Sequence, residues 1–528
     1  MPRKDLLNRA RGVVNVNALV IAALGLGLLS NVLIAALFGL SQRVDAFFAA
    51  AVLPSLFMAL CIDYLGKNFL PVLASAKAVS EACANSVTSS IVTMAALLAV
   101  AVTIVLVAFS KPLFAVILPG FDADALSLVS RYFAIMAPSM VLMAVNTFHE
   151  YALQYEERFT YVSLSRAALP AANLAGLLLL APWLDEYCLP VGYLIGHVTV
   201  FFMLLRGLPY RYRPQIKLRP GFERRVFTNS AIVMSTGLLA RSRSIVLNYL
   251  ASLLGSGAIA AVALASKLTE PLERSAFTGI RMLMFSQTVR LAVAEDRRGI
   301  GLLYNNGLRA AFLVMAPLLW WIALHSQTLV QLLFVRGEFT REHAAVVGGV
   351  LLALTPSVVF LGVNQLLSNA FYAMDRVKVP ALVMPFGTLV YIAAAVPLSA
   401  WLGTRGLAVA TTTAAITVFA ALLIAMARQV PEIRLLRTAG QLAIYAVLGG
   451  TAILAAGSLL GGLALTPTTV AAAALPLGTT AYAVALFFGG DRTFRALLEL
   501  ARVYVAHALP LSGYRSRSSK AQRARKTD

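Results

Sequence analysis

Long apolar stretches constrain the fold of this chain more than any other feature. A helix needs about 20 predominantly apolar residues to cross ~30 Å of hydrocarbon. Such stretches recur along the 528 residues, of which 59% are hydrophobic and 13% charged, a balance that soluble globular proteins do not show. The sequence predicts an all-α polytopic membrane protein with about 14 transmembrane helices.

Positive charge is concentrated in the loops and at both ends of the chain, which has a formal net charge of +21. The loop after the sixth predicted span is the most basic and carries Arg206, Arg211, Arg213, Lys217, Arg219, Arg224 and Arg225. With an even number of spans the basic loops share one side, and the positive-inside rule places that side and both termini in the cytoplasm. Charge placed this way faces anionic lipids and argues against nucleic-acid binding.

One predicted span is charged, although ionisable groups at bilayer depth cost about 2.5–3.5 kcal/mol each. Within residues 257–290, Lys267, Glu270, Arg274 and Arg281 are spaced i, i+3, i+7 and i+14, which places them on one helical face. A charged stripe inside a helix bundle indicates a hydrophilic path for an anionic or polar substrate.

The cations of this region suit a diphosphate, because arginine binds phosphate by bidentate contact and lysine acts as a point charge. We hypothesise that Lys267, Arg274, Arg241 and Arg243 bind such a group, with Arg281 as a further candidate nearer the cytoplasmic end. The alternative is an ion-pair network with acidic residues that only orients the helices; its members are Glu270, Glu273, Asp45 and Asp63. Three of these, Asp45, Asp63 and Glu270, are candidates for coupling to a cation or proton, although charge compensation is the simpler interpretation.

An internal repeat is visible in two short segments, APSMVLMAVN (137–146) and TPSVVFLGVN (355–364), at an offset of 218. Residues 39–56 match 255–272 at an offset of 216. Because six spans are an even number, both copies enter from the same side and form a parallel repeat. The predicted organisation is an N-lobe (1–206), a basic loop (207–227), a C-lobe (228–430), spans 13 and 14 (431–490), and an amphipathic helix with a basic tail (491–528).

Two residue pairs are equivalent in this repeat. Pro138 and Pro356 are candidate hinges for rocking of the lobes, and Asn146 and Asn364 are expected to form interhelical hydrogen bonds beside them. The three cysteines have no CxxC spacing, and no metal or cofactor site is predicted.

Several segments resemble the MurJ/MviN family of the multidrug/oligosaccharidyl-lipid/polysaccharide exporter superfamily. They are VDAFFAAAVLPSLF (44–57), GKNFLPVLA (66–74), SKLTEP (266–271), LLFVRGEFTREH (332–343) and NAFYAMDRVKVP (369–380). The resemblance implies a 14-helix, two-lobed fold with a cationic central cavity and a groove for a lipid tail at the last two helices. It also implies flipping of undecaprenyl-linked glycan precursors, of which lipid II is the best known.

Residue by residue, the resemblance maps a family aspartate to Asp45, an essential arginine to Lys267, and a glutamate to Glu270; Asp63 stands where the family has an acidic residue. The chain departs from the family at Ser30, Ala36 and Met58, which replace arginines, and at Asn31, which replaces an aspartate. Arg241 and Arg243 stand where the family is usually uncharged. These departures leave the identity of the lipid-linked glycan open.

The function predicted from these observations is transport of a polyprenyl-diphosphate-linked glycan across a bacterial inner membrane by alternating access, with no enzymatic reaction. Lipid II and an exopolysaccharide or O-antigen-type unit are both candidate substrates. Because there is no nucleotide-binding motif, the driving force is expected from an ion gradient, the membrane potential or precursor synthesis. The alternatives are a cation-coupled multidrug-type exporter, which a cationic cavity disfavours, and a non-transporting scaffold for glycan-synthesis enzymes.

Overall fold

In a computed structural model, the described part of the chain is helical. It comprises residues 3–219, 221–228, 242–430, 432, 435–463, 465–491, 493–495 and 498–499. The first helices are α1 (Arg3–Phe38), α2 (Gln42–Leu60), α3 (Lys67–Val79), α4 (Glu81–Ala108), α5 (Ser110–Ile117), α6 (Ala123–Met136), α7 (Pro138–Tyr155), α8 (Phe159–Leu184) and α9 (Cys188–Gly207). A π-helical turn, Cys61–Gly66, joins α2 to α3, and a 3-10 turn, Asp185–Tyr187, joins α8 to α9.

The later helices are α10 (Arg243–Ser252), α11 (Ala258–Val293), α12 (Arg297–Leu324), α13 (Ser326–Phe334), α14 (Arg341–Ala373), α15 (Lys378–Leu402), α16 (Thr404–Gln429), α17 (Leu435–Gly461) and α18 (Pro467–Phe488). The amphipathic helix and basic tail predicted after residue 490 lie almost entirely outside the described residues.

The membrane character of the chain is confirmed by helix length and composition. Within the described residues, ten helical segments are long and apolar enough to cross a bilayer, so the chain is a multi-span membrane protein. The charged helix α11 has 36 residues, about 54 Å at 1.5 Å per residue. It is not among the ten, because it carries the charged stripe that the sequence predicts.

Contacts divide the chain into two compact units. The first comprises residues 1–279 and 325–422, so α11 begins in it and ends in the second. In this unit α8 packs on α9 and α1, and α4 packs on α7. The fully buried rings of Phe69 and Phe148 meet edge to face with centroids 5.3 Å apart, so α3 and α7 are joined by a well-packed aromatic contact.

The second unit comprises residues 280–324 and 423–528, and its described helices α12, α17 and α18 pack together. Thr438 Oγ1 donates a hydrogen bond to Asn305 Oδ1 at 2.9 Å, and Trp321 Nε1 donates one to the carbonyl of Ala471 at 2.7 Å. Buried polar groups bonded across helices in this way hold membrane helices together where no hydrophobic force between them exists.

The order of helices recurs along the chain. The continuous α14 spans 341–373, and α6 with α7 spans 123–155, so both segments have 33 residues and are displaced by 218 positions. Similarly, α4 and α12 each have 28 residues, and α12 lies 216 positions after α4. After each of them, a single residue leads into a short helix. These lengths agree with the offsets of the sequence repeat.

Backbone conformation recurs at the same offsets. The left-handed φ of Glu157 (56°) is matched by that of Asp375 (58°), and the φ of Asp185 (44°) by that of Gly403 (58°). Non-glycine residues seldom adopt positive φ. The recurrence of positive φ at equivalent positions therefore indicates that the turns, as well as the helices, are repeated.

Candidate functional site

A cavity of about 450 Å³ lies within the first unit, among helices of both sequence copies. The first copy contributes α1, α2, α8 and α9, and the second contributes α10 and the beginning of α11. Most lining residues are apolar, and the polar ones are Ser30, Asn31, Ser55, Asn173, Tyr193, Ser244, Asn248, Ser266, Lys267 and Glu270. A predominantly apolar cavity with a few polar groups is typical of a ligand site.

Two residues of the predicted charged stripe line this cavity. Lys267 Nζ lies 3.3 and 3.4 Å from the two carboxylate oxygens of Glu270, one turn further along α11. Each side chain is 41% exposed. An ion pair open to this degree is weak, and an ammonium has three N–H donors. The Lys267 ammonium can therefore exchange its carboxylate partner for a phosphate oxygen.

The cavity also holds buried acceptors that the sequence analysis did not select. The amide oxygens of Asn173 and Asn248 have no hydrogen-bond partner within the described part of the chain. Asn248 uses its Nδ2 to donate to the carbonyl of Ser244 at 2.8 Å, which leaves its buried oxygen as the unsatisfied atom. A buried acceptor without a partner is costly. An asparagine within an apolar span was the available sequence signal.

Two of the three departures from the family pattern in helix α1, Ser30 and Asn31, also lie here. Ser30 Oγ lies 3.0 Å from the carbonyl of Leu26 and 3.3 Å from that of Pro170, linking α1 to α8. Asn31 Nδ2 donates to the carbonyl of Gly27 at 2.7 Å. The wall that these residues form is polar and uncharged, so the described cavity has less positive charge than the resemblance implies.

Asp45 does not line this cavity. Its side chain is fully buried, and its two carboxylate oxygens accept hydrogen bonds from the backbone N–H groups of Gly257 (2.5 Å) and Ala260 (2.6 Å). The first turn of a helix has N–H groups without intrahelical partners and a positive dipole end. Asp45 of α2 therefore caps α11, and its role in substrate binding or coupling stays a prediction.

Arg243 lines a second, smaller cavity of about 250 Å³ with Asn364, Gln365 and Thr388. Its guanidinium carbon lies 5.4 Å from the ring centroid of Tyr391, a cation–π distance. The structure thus places Arg243 and Lys267 in the linings of different cavities. That both bind one diphosphate stays a prediction.

The other predicted site residues are placed as follows. Arg241 lies outside the described residues, as do the side chains of Asp63 and Arg274. Arg281 is half-buried and belongs to the second unit. Among the described residues, no group of three or more His, Cys, Asp or Glu is arranged to hold a metal ion.

The repeat-equivalent prolines and asparagines differ in their surroundings. Pro138 begins α7 after a break at Ala137, whereas Pro356 lies inside the continuous α14. Asn364 Nδ2 donates to the carbonyl of Ala415 on α16 at 3.0 Å, an interhelical bond of the predicted kind. The amide of Asn146 is buried with no partner in the part of the chain that the structure describes. Hinge motion at the prolines stays a prediction.

Comparison with known proteins identifies relatives over most of the chain. The family model described as "Lipid II flippase MurJ" matches residues 34–479. The lipid II flippase MurJ of Burkholderia cenocepacia is 26% identical over 390 residues, covering 71% of this chain and 75% of the relative. The probable lipid II flippase MurJ of Buchnera aphidicola is 25% identical over 398 residues, with the same coverage. These relatives are named as flippases, which are transporters rather than enzymes.

Solved structures show the same fold. A lipid II flippase MurJ in an inward closed conformation matches with a TM-score of 0.78 at 18% identity, covering 90% of this chain and 99% of that one. An inward-facing multidrug resistance transporter of the MATE family matches with a TM-score of 0.66 at 15% identity, covering 78% and 94%. Because the family model extends over well more than half of the 528 residues, the chain belongs to the MurJ family of lipid II flippases.

Proposed function

We propose that this protein flips a polyprenyl-diphosphate-linked glycan from the cytoplasmic to the outer face of a bacterial inner membrane. The observation that carries the proposal is the chemistry of the 450 Å³ cavity, where Lys267 shares the lining with Asn173 and Asn248, whose buried amide oxygens have no partner among the described residues. An ammonium suits a diphosphate and amide oxygens suit sugar hydroxyls. In a protein of the MurJ family, an ammonium and amide oxygens together would serve to bind the head group of a lipid-linked glycan during transport.

The proposed architecture follows the repeat. Fourteen spans would form an N-lobe (1–206) and a C-lobe (228–430), followed by spans 13 and 14 (431–490), with both termini cytoplasmic. The recurrence of helix lengths and positive-φ turns at offsets of 216 and 218 supports two equivalent lobes. Alternating access between parallel repeats, driven by an ion gradient or the membrane potential, is the mechanism that we propose.

The glycan itself is the second part of the proposal. Lipid II is the substrate named for the relatives, and it is our first candidate. An exopolysaccharide or O-antigen-type unit is the second, because Ser30 and Asn31 make the α1 wall of the cavity polar and uncharged where the family pattern has charge. A less charged wall would suit a head group with fewer acidic groups.

Complementation tests the proposal. A bacterium depleted of its own lipid II flippase would express this chain, its Lys267→Ala variant or the control variant Lys378→Ala, with membrane abundance measured by blot. Lys378 is exposed at the start of α15 and does not line the cavity. We expect rescue by the wild type and by Lys378→Ala, and loss of rescue with Lys267→Ala.

Each of the other outcomes would contradict one part of the proposal. Rescue by Lys267→Ala at normal abundance would contradict the site. Failure of the wild type at normal abundance would exclude lipid II and transfer the test to the exopolysaccharides of the native host. A deletion strain with altered drug sensitivity but normal surface glycans would favour a multidrug-type exporter instead.

A further inference from the structure

The basic loop after α9 is held against a membrane helix rather than projecting from it. We call residues 208–219 the strap. An apolar helix, α4, presents to it a row of hydroxyl groups at i, i+3, i+4 and i+7, which places them on one face; they belong to Ser86, Ser89, Ser90 and Thr93.

The strap is fixed through its backbone at every second residue. The N–H groups of Arg213 and Lys217 donate to Ser89 Oγ (3.2 Å) and Ser90 Oγ (2.8 Å), and Ser90 Oγ also donates to the carbonyl of Lys217 (3.1 Å). Between them, the N–H of Gln215 donates to Thr93 Oγ1 at 3.5 Å, and its side-chain amide donates to the carbonyl of Ser86 at 2.8 Å. A bonding period of two is that of an extended chain, in which successive side chains point to opposite faces.

This extended geometry separates the strap into two faces. Tyr212, Ile216 and Leu218 share one parity and are 42%, 64% and 60% exposed. The cations Arg211, Arg213 and Lys217 share the other parity and are also exposed. The strap is therefore an extended amphipathic segment with an exposed cationic face. On its apolar face Ile216 and Leu218 are uncovered, and the Tyr212 hydroxyl is hydrogen-bonded to Thr93 Oγ1 of α4 at 2.8 Å.

One end of the strap is anchored by an ion pair. Arg219 bonds through Nε to the fully buried carboxylate of Glu223, at 3.1 and 3.2 Å. This hydrogen bond raises the pKa of Arg219 above its already high ordinary value. Arg219 thus holds the strap in place, while the side chains of the three exposed cations have no hydrogen-bond partner among the described residues.

The position of the strap along α4 sets its depth. Residues 86–93 lie five to twelve positions after the start of α4 at Glu81, about 8–18 Å along the helix axis. Measured from a start of α4 at the outer edge of the head groups, this is the depth of the boundary between head groups and acyl chains, where tyrosine and basic residues are favoured. Water would leave the large aliphatic side chains of Ile216 and Leu218 exposed, whereas this boundary accommodates both faces of the strap.

We propose that the strap is a binding surface for anionic phospholipid head groups, with its apolar face among the acyl chains. Arg211, Arg213 and Lys217 would contact the phosphates, with each cation strengthening binding about fivefold. None of these residues lines the 450 Å³ cavity, so the proposal does not depend on the substrate that the protein transports.

The test is a lipid titration of the full-length protein in maltoside micelles, followed by native mass spectrometry. Binding of phosphatidylglycerol is compared with binding of phosphatidylcholine for the wild type and two triple variants. The strap variant is Arg211→Gln, Arg213→Gln, Lys217→Gln. The matched control removes three exposed cations from other loops, with Arg297→Gln, Arg298→Gln and Arg376→Gln.

We expect the strap variant to lose the preference for phosphatidylglycerol while the control keeps it within about twofold. Equal loss of the preference in both variants would show that binding reflects general charge attraction, and it would overturn the proposal. An unchanged preference in both variants would overturn it too. If the triple strap variant does not fold, the single variants Arg213→Gln and Lys217→Gln should each lose about fivefold, and unchanged binding in both would also overturn it.

Two further measurements separate this surface from the transport site. Lys267→Ala should bind phosphatidylglycerol as the wild type does, whatever its effect on complementation. Displacement of phosphatidylglycerol by an equimolar polyprenyl diphosphate would mean that the strap belongs to the substrate path, and would contradict a bulk-lipid surface. Replacing Ile216 and Leu218 by serine should weaken binding of the same lipid without changing net charge.

Discussion

The carboxylate of Asp45 accepts the backbone N–H of Gly257 at 2.5 Å across 212 positions of sequence, and its second oxygen accepts that of Ala260. A helix of the first copy thereby caps the charged helix of the second. Most helices are capped by a neighbouring residue of the same chain segment. The beginning of α11 depends instead on the packing of α2 beside it.

Asp45→Ala should destabilise the protein strongly, because it leaves two buried N–H groups without acceptors, at about 1–3 kcal/mol each. Asp45→Asn should cost less, since one acceptor oxygen remains. Thermal unfolding of purified protein in detergent measures both. The matched control is Asp122→Ala, which removes the exposed N-cap of α6 and should cost about 1 kcal/mol. An equal effect at the two positions would contradict the tertiary capping role.

Lys267→Arg should retain transport, whereas Lys267→Gln should reduce it at least tenfold. The physical reason is that a diphosphate requires a cation at this place in the cavity, and both guanidinium and ammonium groups form charge-assisted hydrogen bonds with phosphate. Neither change should lower stability by more than about 1 kcal/mol, because the pair with Glu270 is 41% exposed. Transport is followed by complementation and stability by thermal unfolding. Full activity of Lys267→Gln would exclude an electrostatic role.

Asn173→Leu should impair transport without destabilising the protein. Its amide oxygen is buried and has no partner among the described residues, so an apolar side chain of similar size removes an unsatisfied acceptor. Asn364→Leu is the matched comparison, because its Nδ2 bonds Ala415 on another helix and its loss should cost about 1 kcal/mol. A loss of stability in Asn173→Leu that matches its loss of transport would indicate a merely structural residue.

Gly257→Ala should be far more damaging than Gly403→Ala, although both glycines have positive φ. A Cβ at Gly257 would lie 2.7 Å from the carbonyl oxygen of Leu40, whereas a Cβ at Gly403 would meet open space. Gly403→Ala should therefore cost only the strain of placing a non-glycine residue at φ 58° and ψ −134°, about 1–3 kcal/mol. Gly403→Asp should be tolerated at least as well, because Asp185 adopts that conformation at the equivalent position. Protein yield and unfolding temperature report the difference, and similar losses for the two Ala variants would contradict it.

Much of the fold was predictable because few backbone structures can cross a bilayer. Apolar length alone identifies helices that cross a membrane, since backbone polar groups inside hydrocarbon must bond within one segment. The offset of 218 between Pro138 and Pro356 anticipated the two 33-residue helical segments. Glu157 and Asp375 adopt positive φ at equivalent positions, but neither residue type marks a left-handed turn in the sequence.

The candidate site was predictable only in part. Charge at bilayer depth singled out Lys267 and Glu270, and both line the larger cavity. The same reasoning grouped Arg243 with them, although it lines a different cavity with Asn364. It did not select Asn173 or Asn248, because an amide in an apolar segment is more often a link between helices than a ligand contact.

By itself the sequence determined that this chain crosses a membrane many times, contains a repeat and carries charge on one helical face, since periodicity and apolar length are local properties. Only the tertiary structure decided which charges share a cavity, which carboxylate caps a distant helix and where the basic loop lies. Asp45 and Lys267 are both ionisable residues in membrane helices, yet one is bonded to backbone and the other lines an open cavity. That difference arises from which helices pack together, because the free energy of a buried charge depends on its partners rather than on its position in the sequence.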